Sequence, residues 1–325
     1  MPTVYGPVSS WRFGRSLGID AVAGTKTCTF NCIYCQLGET AVHATGPEDL
    51  RNPTIAENVK DDLIGYLAKI DVDSIDVITF SGSGEPTLNS QLGKMVDYAK
   101  ELPRKKLPIV LLTNASLLHR DDVKKNAAKF DVVCAKLDAG DERSFKIINR
   151  PVKEVSNFIR IVQSIKEIKP QLTGKLMIQT MFLRTALGFS NCEGEALDKI
   201  VNITSKIDPD IVQIDTPYRP RAERFVRHVN VDELTVIAEK FMENFSKDRL
   251  WIFGVHDMRG KRVAWKESKT IDENILELVR RRPCRIVDIA DSLGISYREA
   301  AQKVSKLLGE NLISEKCSRE DKYFS

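Results

Sequence analysis

Three cysteines close together near the start of the chain are the residues best suited to chemistry. Cys28, Cys32 and Cys35 are separated by three and by two residues, in the run CTFNCIYC. A loop with these gaps can bring three thiolates to one metal centre. The sequence has seven cysteines, an odd number, and residues 1–15 lack the apolar core of a secretory signal. The spacing therefore predicts a metal site in a protein of the reducing cytoplasm.

Zinc and an iron–sulfur cluster are the two metal centres to compare. Structural zinc usually takes four protein ligands, whereas His43 is the first histidine after the triplet and no fourth cysteine is near. Three thiolates with one open position suit an iron–sulfur cluster whose fourth iron binds another group. A zinc protein, or three cysteines packed as small apolar side chains, are the alternatives.

With Tyr34 directly before Cys35, the triplet resembles the signature of the radical S-adenosylmethionine (radical SAM) superfamily. The resemblance implies that the three thiolates hold a 4Fe–4S cluster, that S-adenosylmethionine (SAM) chelates its unique iron, and that Tyr34 lies at the cofactor. It further implies reductive cleavage of SAM to a 5′-deoxyadenosyl radical, which abstracts hydrogen from a substrate. The runs GRSLGID (14–20) and QLG (36–38) resemble the branch related to the tRNA wyosine synthases.

Strands and helices must alternate along the chain to position this triplet. β-rich apolar runs predict strands at 17–22, 76–81, 108–113, 131–138, 175–183, 210–216 and 250–255. Helical periodicity predicts helices at 54–70, 92–102, 121–130, 156–168, 195–207 and 231–245. Such alternation is typical of a parallel sheet covered by helices. We expect an α/β fold, a partial (β/α)6-type TIM barrel with its chemistry at the carboxyl ends of the strands.

A glycine-rich turn follows the second predicted strand. Gly82 and Gly84 allow backbone carbonyls to approach a ligand closely. The resemblance implies that this turn, with Glu85, contacts the methionine part of SAM. A dinucleotide-binding loop does not fit, because Thr87 stands where that motif needs its third glycine. An ordinary strand-to-helix turn is the alternative.

Polar residues near other strand ends complete the candidate cofactor site. Lys136 and Asp138 alternate with apolar neighbours, so both are expected on the interior face of their strand. The resemblance places Asp138 near the ribose of SAM, with Asn114 and Gln179 in similar positions. A structural hydrogen bond is the alternative for each of them.

A proline-containing loop at 216–224 is expected at the same edge of the sheet. It carries Arg219, Arg221 and Arg224, and arginines suit an anionic group such as phosphate or carboxylate. A solvated basic loop is the alternative.

The C-terminal part of the chain has a different pattern from the rest. We expect a barrel at 1–258, a linker at 259–270 and a small domain at 271–325. In the last part, two short helices joined at Gly294 and two possible wing strands resemble a winged helix-turn-helix. From residue 247 to the end there are 17 Lys and Arg against 13 Asp and Glu, which accounts for the net charge of +4.

Composition limits the function classes. The chain is 42% apolar and 29% charged, as in ordinary globular proteins, and it has no membrane-spanning stretch of about 18 apolar residues. The main hypothesis is a cytoplasmic radical SAM enzyme that acts on a macromolecule, RNA or tRNA or a protein, with an external electron donor such as flavodoxin or ferredoxin. The alternative is a non-catalytic iron–sulfur redox or iron sensor that binds nucleic acid through the winged helix.

Overall fold

A computed structural model of the chain describes residues 2–51, 53–155, 157–259, 271–318 and 321–325. The strands are β1 (Val4–Ser10), β2 (Gly14–Ile19), β3 (Thr27–Cys28), β4 (Val42–His43), β5 (Val77–Phe80), β6 (Ile109–Thr113), β7 (Val132–Lys136), β8 (Lys175–Met181), β9 (Leu183–Thr185), β10 (Ile211–Asp215), β11 (Val226–His228), β12 (Leu250–Ile252), β13 (Glu315–Ser318) and β14 (Asp321–Phe324). The helices are α1 (Ala56–Lys69), α2 (Leu92–Glu101), α3 (Asp121–Ala127), α4 (Glu142–Ile148), α5 (Phe158–Ile168), α6 (Gly194–Ile207), α7 (Val231–Met242), α8 (Ile271–Arg281), α9 (Ile286–Leu293) and α10 (Tyr297–Gly309).

One curled eight-stranded sheet forms the half-barrel that carries the site. Its strands run in the order β1-β2-β5-β6-β7-β8-β10-β12, and all neighbours are parallel except β1 and β2. Parallel neighbours require long crossovers, which the helices between these strands supply. The carboxyl ends of the parallel strands therefore meet at one edge. The expected α/β partial barrel is confirmed.

The core lies between the sheet and its helices. Helix α5 buries Ile161, Ile165 and Ile168, which recur at the spacing of one helix face. Phe80 at the end of β5 meets Phe130 edge to face, with ring centroids 5.1 Å apart. Helix packing thus fixes the strands whose ends hold the candidate site.

Several elements were not expected from the sequence. Strand β1 pairs antiparallel with β2 and covers the edge of the sheet. Helix α4 follows β7 directly, and β9 and β11 form a small antiparallel pair beyond the barrel. β2 itself begins and ends three residues before the expected 17–22, because its first residue, Gly14, already pairs with Ser10 of β1.

The C-terminal part folds as three helices and a pair of antiparallel strands. Gly294, at φ +66°, ends α9 and turns the chain into α10, and β13 pairs with β14. This part packs against β1, since Tyr5 and Val8 share a buried cluster with side chains of α8, α9 and α10. The winged helix and the domain bounds 1–258 and 271–325 stay predictions. The expected linker 259–270 lies, apart from Arg259, outside the described residues.

Candidate active site

The cysteine loop and the glycine-rich turn are joined by backbone hydrogen bonds. Thr27 N donates to Ser83 O at 3.0 Å, and Glu85 N donates to Thr27 O at 3.2 Å. Gly84 has a φ of +157°, and a Cβ there would lie 1.7 Å from the Thr27 carbonyl oxygen. Only glycine fits this close approach. The turn therefore holds Cys28, the next residue after Thr27, beside Gly84.

The three clustered cysteines are free thiols, each partly buried at the carboxyl edge of the sheet. Asn114 Nδ2 lies 3.6 Å from Cys28 Sγ, and Asn149 Nδ2 lies 3.5 Å from Cys32 Sγ. Cys35 N donates to Cys32 O at 3.1 Å, which folds the loop back on itself. Two sulfur atoms therefore already have amide donors, as ligand sulfurs of metal centres often do.

Burial determines the protonation of these thiols. It raises the pKa of Cys28 far above the ordinary range, and the Glu85 carboxylate adds to this rise. Burial and then the charge of Asp138 raise the pKa of Cys32 to about 12. Both are thiols at neutral pH, and a metal centre that binds thiolates here must displace their protons.

Asp138 is a buried residue just beyond the end of β7, and its carboxylate accepts hydrogen bonds from several parts of the site. Tyr34 donates from its hydroxyl to Asp138 Oδ2 at 2.5 Å, and Asn149 donates to the same oxygen at 2.8 Å. Oδ1 accepts from the Met181 backbone at 2.8 Å and lies 3.1 Å from Lys136 Nζ. Asp138 thus holds Tyr34 and Asn149 in place. Its contact with the ribose of SAM stays a prediction.

Glu85 is likewise occupied by protein groups. One oxygen accepts from the hydroxyls of Thr113 (2.6 Å) and Thr87 (2.7 Å), and the other accepts from Asn114 N at 2.7 Å. Burial raises the pKa of Glu85, although these hydrogen bonds oppose the rise. Glu85 ties the glycine-rich turn to the end of β6, while its predicted cofactor contact is untested.

A cavity of about 320 Å³ lies beside the cysteine loop. Cys35, Gly82 and Gln179 line it, so the structure brings parts of the triplet, the turn and β8 to one space. Gln179 Nε2 donates to Asp215 Oδ2 at 2.8 Å, and Asp215 lines the same cavity. The site can therefore hold a ligand in contact with the cysteine loop and with three strand ends.

Comparison with known proteins identifies the family. The Radical SAM superfamily matches residues 22–182. The chain is 39% identical over 220 residues to the UPF0026 protein slr1464 of Synechocystis sp. (strain ATCC 27184 / PCC 6803 / Kazusa). The similar region covers 68% of this chain and 77% of that protein. This chain is a radical SAM protein of the UPF0026 family. Members of the superfamily are enzymes that bind a 4Fe–4S cluster and SAM, so the chain is an enzyme with these cofactors.

Two further similarities concern length and fold. This radical SAM enzyme is 32% identical over 320 residues to a protein of Brachyspira hyodysenteriae (strain ATCC 49526 / WA1) named GTPase Obg. The similar region covers 98% of this chain but only 43% of the length of that protein. The solved structure of native anSMEcpe with bound AdoMet and Kp18Cys peptide has a TM-score of 0.51 at 15% identity, covering 73% of this chain and 63% of that chain. The structural similarity supports the half-barrel fold. Among the described residues, no helix is both long and apolar enough to cross a membrane.

Sequence reasoning missed three polar residues of the radical SAM site. Asn149 follows the unexpected helix α4, and no local pattern in the sequence indicated its contact with Cys32. Asp215 ends a predicted strand, and the strand-end rule used for Asp138 could have found it. Asp20 follows β2 and is fully buried, and its carboxylate accepts from Ser83 N and Oγ at 3.1 and 2.7 Å.

Proposed function

We propose that Cys28, Cys32 and Cys35 hold the 4Fe–4S cluster and leave one iron open for SAM. When bound, the cluster supplies the electron that cleaves SAM to methionine and a 5′-deoxyadenosyl radical, which takes a hydrogen atom from a substrate. The observation that carries this proposal is the joining of the cysteine loop to the glycine-rich turn beside one cavity.

The residues present suit this cluster. Three partly buried thiols supply soft ligands, and the amides of Asn114 and Asn149 are placed to donate to two of the sulfurs. Cys35 lines the cavity, so a ligand bound in the cavity can contact the loop that would hold the cluster.

The chain's other residues bind and orient SAM in this proposal. Gly82 and Gly84 line the cavity and present backbone groups to the methionine part. Gln179 in β8 and Asn114 just after β6 supply amide groups on either side of β7. Asp138 acts by fixing Tyr34, a residue of the cysteine loop, in place.

The proposed substrate is a macromolecule, RNA or tRNA, or else a protein. The excess of positive charge from residue 247 onward and the arginines of loop 216–224 support RNA. An external donor such as flavodoxin or ferredoxin would supply the electron. We expect the enzyme to work in the cytoplasm, where its thiols stay reduced.

The experiment is anaerobic reconstitution with iron and sulfide, followed by dithionite and SAM and chromatography for 5′-deoxyadenosine. The parent should carry four irons and form this product. Cys32→Ser should form none, whereas Cys317→Ser, at an exposed thiol of the C-terminal part, should match the parent. A parent with four irons and no product would contradict the proposed cleavage of SAM and favour an iron–sulfur sensor.

A further inference from the structure

The cavity beside the cysteine loop carries an excess of positive charge that the cofactor proposal does not use. Its lining cations are Arg12, Lys136, Arg219, Arg281 and Arg282. Asp215 is the only carboxylate among the described lining residues. A ligand that fills this cavity therefore meets a positive wall.

Some of these cations are balanced by the protein itself. Lys136 lies 3.1 Å from Asp138, and Arg281 forms an ion pair with Asp20. The charge of Arg12 acts on the buried Asp215, whose pKa burial raises and Arg12 lowers. Arg219 and Arg282 are the two lining cations that are not balanced in this way by a carboxylate of the described residues.

Arg219 and Arg282 have donors left over. Arg219 donates one N–H to Gln36 Oε1 at 2.9 Å, and Arg282 donates one to the Ser9 carbonyl at 3.1 Å. The Nε atom of each is buried and has no hydrogen-bond partner among the described residues. Neither guanidinium forms an ion pair within the part of the chain that the structure describes.

The positive charge of Arg219 acts on Arg282. Burial and the charge of Arg219 lower the pKa of Arg282, although an arginine keeps its proton in practice. Asp288 is the neighbouring acid, but Arg285 already occupies both of its oxygens, at 3.1 and 3.2 Å. Both residues are half-buried, and Arg219 also lies over the Tyr218 ring, with its Cζ 4.8 Å from the ring centroid. Their buried Nε donors have no acceptor among the described residues, and a bound anion would supply one.

The positions of the pair point to the substrate. Gln36, the acceptor of Arg219, is the residue after Cys35, so this end of the cavity lies beside the cysteine loop. Arg282 also lines an outer groove of about 650 Å³, where Arg224, Arg280 and Lys316 are exposed. The approach to the arginine pair is thus positively charged as well.

We propose that Arg219 and Arg282 form a subsite for an oxyanion group of the substrate, a phosphate or a carboxylate, beside the radical-generating site. Two guanidinium groups present forked N–H donors that match such oxygens. The substrate is accordingly an anionic molecule, and the C-terminal part completes its site through Arg282. The identification of this anion as substrate rests on the proposed function.

Calorimetric titration of the full chain with inorganic pyrophosphate at constant ionic strength tests the subsite. Arg219→Gln and Arg282→Gln should each weaken binding at least about tenfold, because charge-assisted hydrogen bonds are lost. Arg143→Gln, at an exposed position of α4, is the matched control and should bind like the parent. Arg282→Lys keeps the charge without the fork and should fall between. Binding equal to the parent in both glutamine variants, or none by the parent, would overturn the proposal.

Two further arms identify the source of the oxyanion. SAM affinity should be unchanged in Arg282→Gln, and a tenfold loss would assign the pair to the carboxylate of SAM and overturn the substrate subsite.

Formation of 5′-deoxyadenosine without added substrate separates the proposed oxyanion subsite from the proposed cleavage of SAM. A parent that cleaves SAM but binds no pyrophosphate overturns the subsite alone. A parent that binds pyrophosphate but cleaves no SAM overturns the proposed function and leaves an anion site.

Discussion

Two asparagine amides point at sulfur atoms of the cysteine loop, and such donors influence a cluster once it is bound. An N–H donor to a ligand sulfur stabilises the more negative, reduced cluster, so it raises the reduction potential. Asn149 also donates to Asp138, which in turn holds Tyr34. One buried side chain therefore joins the metal site to the rest of the strand-end network.

Asn149→Ala should lower the midpoint potential of the reconstituted cluster by roughly 30–60 mV, the equivalent of one hydrogen bond for a one-electron couple. The measurement is an anaerobic redox titration followed by electron paramagnetic resonance. Asn202→Ala, at an exposed position of α6, is the control and should leave the potential unchanged. An unaltered potential in Asn149→Ala would contradict this role.

Glu85→Ala should lower the free energy of unfolding by about 3 kcal/mol, because buried hydroxyl and amide donors lose their acceptor. Urea denaturation of the apo chain is the measurement, with Glu239→Ala on the exposed face of α7 as the control. If Glu85 served only to contact SAM, the variant would unfold like the parent and lose SAM affinity alone.

Single residues were predictable to the extent that local pattern decides them. Alternation along β7 was enough to place Lys136 and Asp138 on one face, and the structure pairs them. The same pattern could not show that Tyr34 and Asn149 already occupy the Asp138 carboxylate, because those contacts span 104 and 11 residues of sequence. Tertiary contacts of this kind leave no spacing signal.

At the scale of elements, helix α8 is fastened to the barrel by a buried ion pair. Arg281 and Asp20 have side chains only 5% and 0% exposed. Asp20 also accepts from the backbone and hydroxyl of Ser83 in the glycine-rich turn. The pair thus links the C-terminal part to the turn proposed to bind SAM.

Arg281→Met should lower the free energy of unfolding by about 3–5 kcal/mol, since it leaves the Asp20 carboxylate buried without its cation. SAM affinity should fall with it, because Ser83 loses a fixed partner. Arg280→Met, one residue earlier and exposed, is the matched control for urea denaturation and equilibrium dialysis. Equal stability of the two variants would show that the ion pair does not hold α8.

Asp288 near the start of α9 makes the stability of the C-terminal part depend on pH. Burial alone would raise its pKa, but hydrogen bonds from Arg285 and the charges of Arg282 and Arg219 lower it to about 2. A carboxyl with a lowered pKa stabilises the fold above its unfolded value and loses that contribution as the pH falls through the folded value.

Asp288→Asn should therefore cost about 2 kcal/mol at neutral pH, and the difference from the parent should shrink as the pH falls from about 4 towards 2. Unfolding free energies from pH 7 to 2.5 give the curve, with Asp198→Asn on exposed α6 as the control. A difference that stays constant with pH would contradict the assignment.

The elements themselves were largely predictable, because parallel strands and covering helices have strong apolar patterns. Strand β1 was not, since it contains Pro7 and gains its partner only when β2 folds beside it. Helix α4, with seven residues, was not predicted either. These two unpredicted elements supply Tyr5 and Val8 to the cavity and position Asn149 at Cys32, so the least predictable elements shape the site.

At the scale of the whole molecule, the half-barrel leaves one side of its interior to be completed by other parts of the chain. β1 and the end of α8 line the cavity together with the strand ends, and the outer groove runs between loop 216–224 and the C-terminal part. The last part of the chain is thus a wall of the site. The chain's excess positive charge lies in the sequence just before that part, where residues 247–270 hold 7 Lys and Arg against 3 Asp and Glu.

The most direct test of the account is electron–nuclear double resonance of the reduced, reconstituted enzyme with SAM labelled with nitrogen-15 in its methionine amino group. If three cysteines leave one iron open to SAM, the spectrum should show a coupling between this nitrogen and the cluster. A matched sample with unlabelled SAM is the control. A fully loaded cluster that shows no such coupling would contradict the central claim.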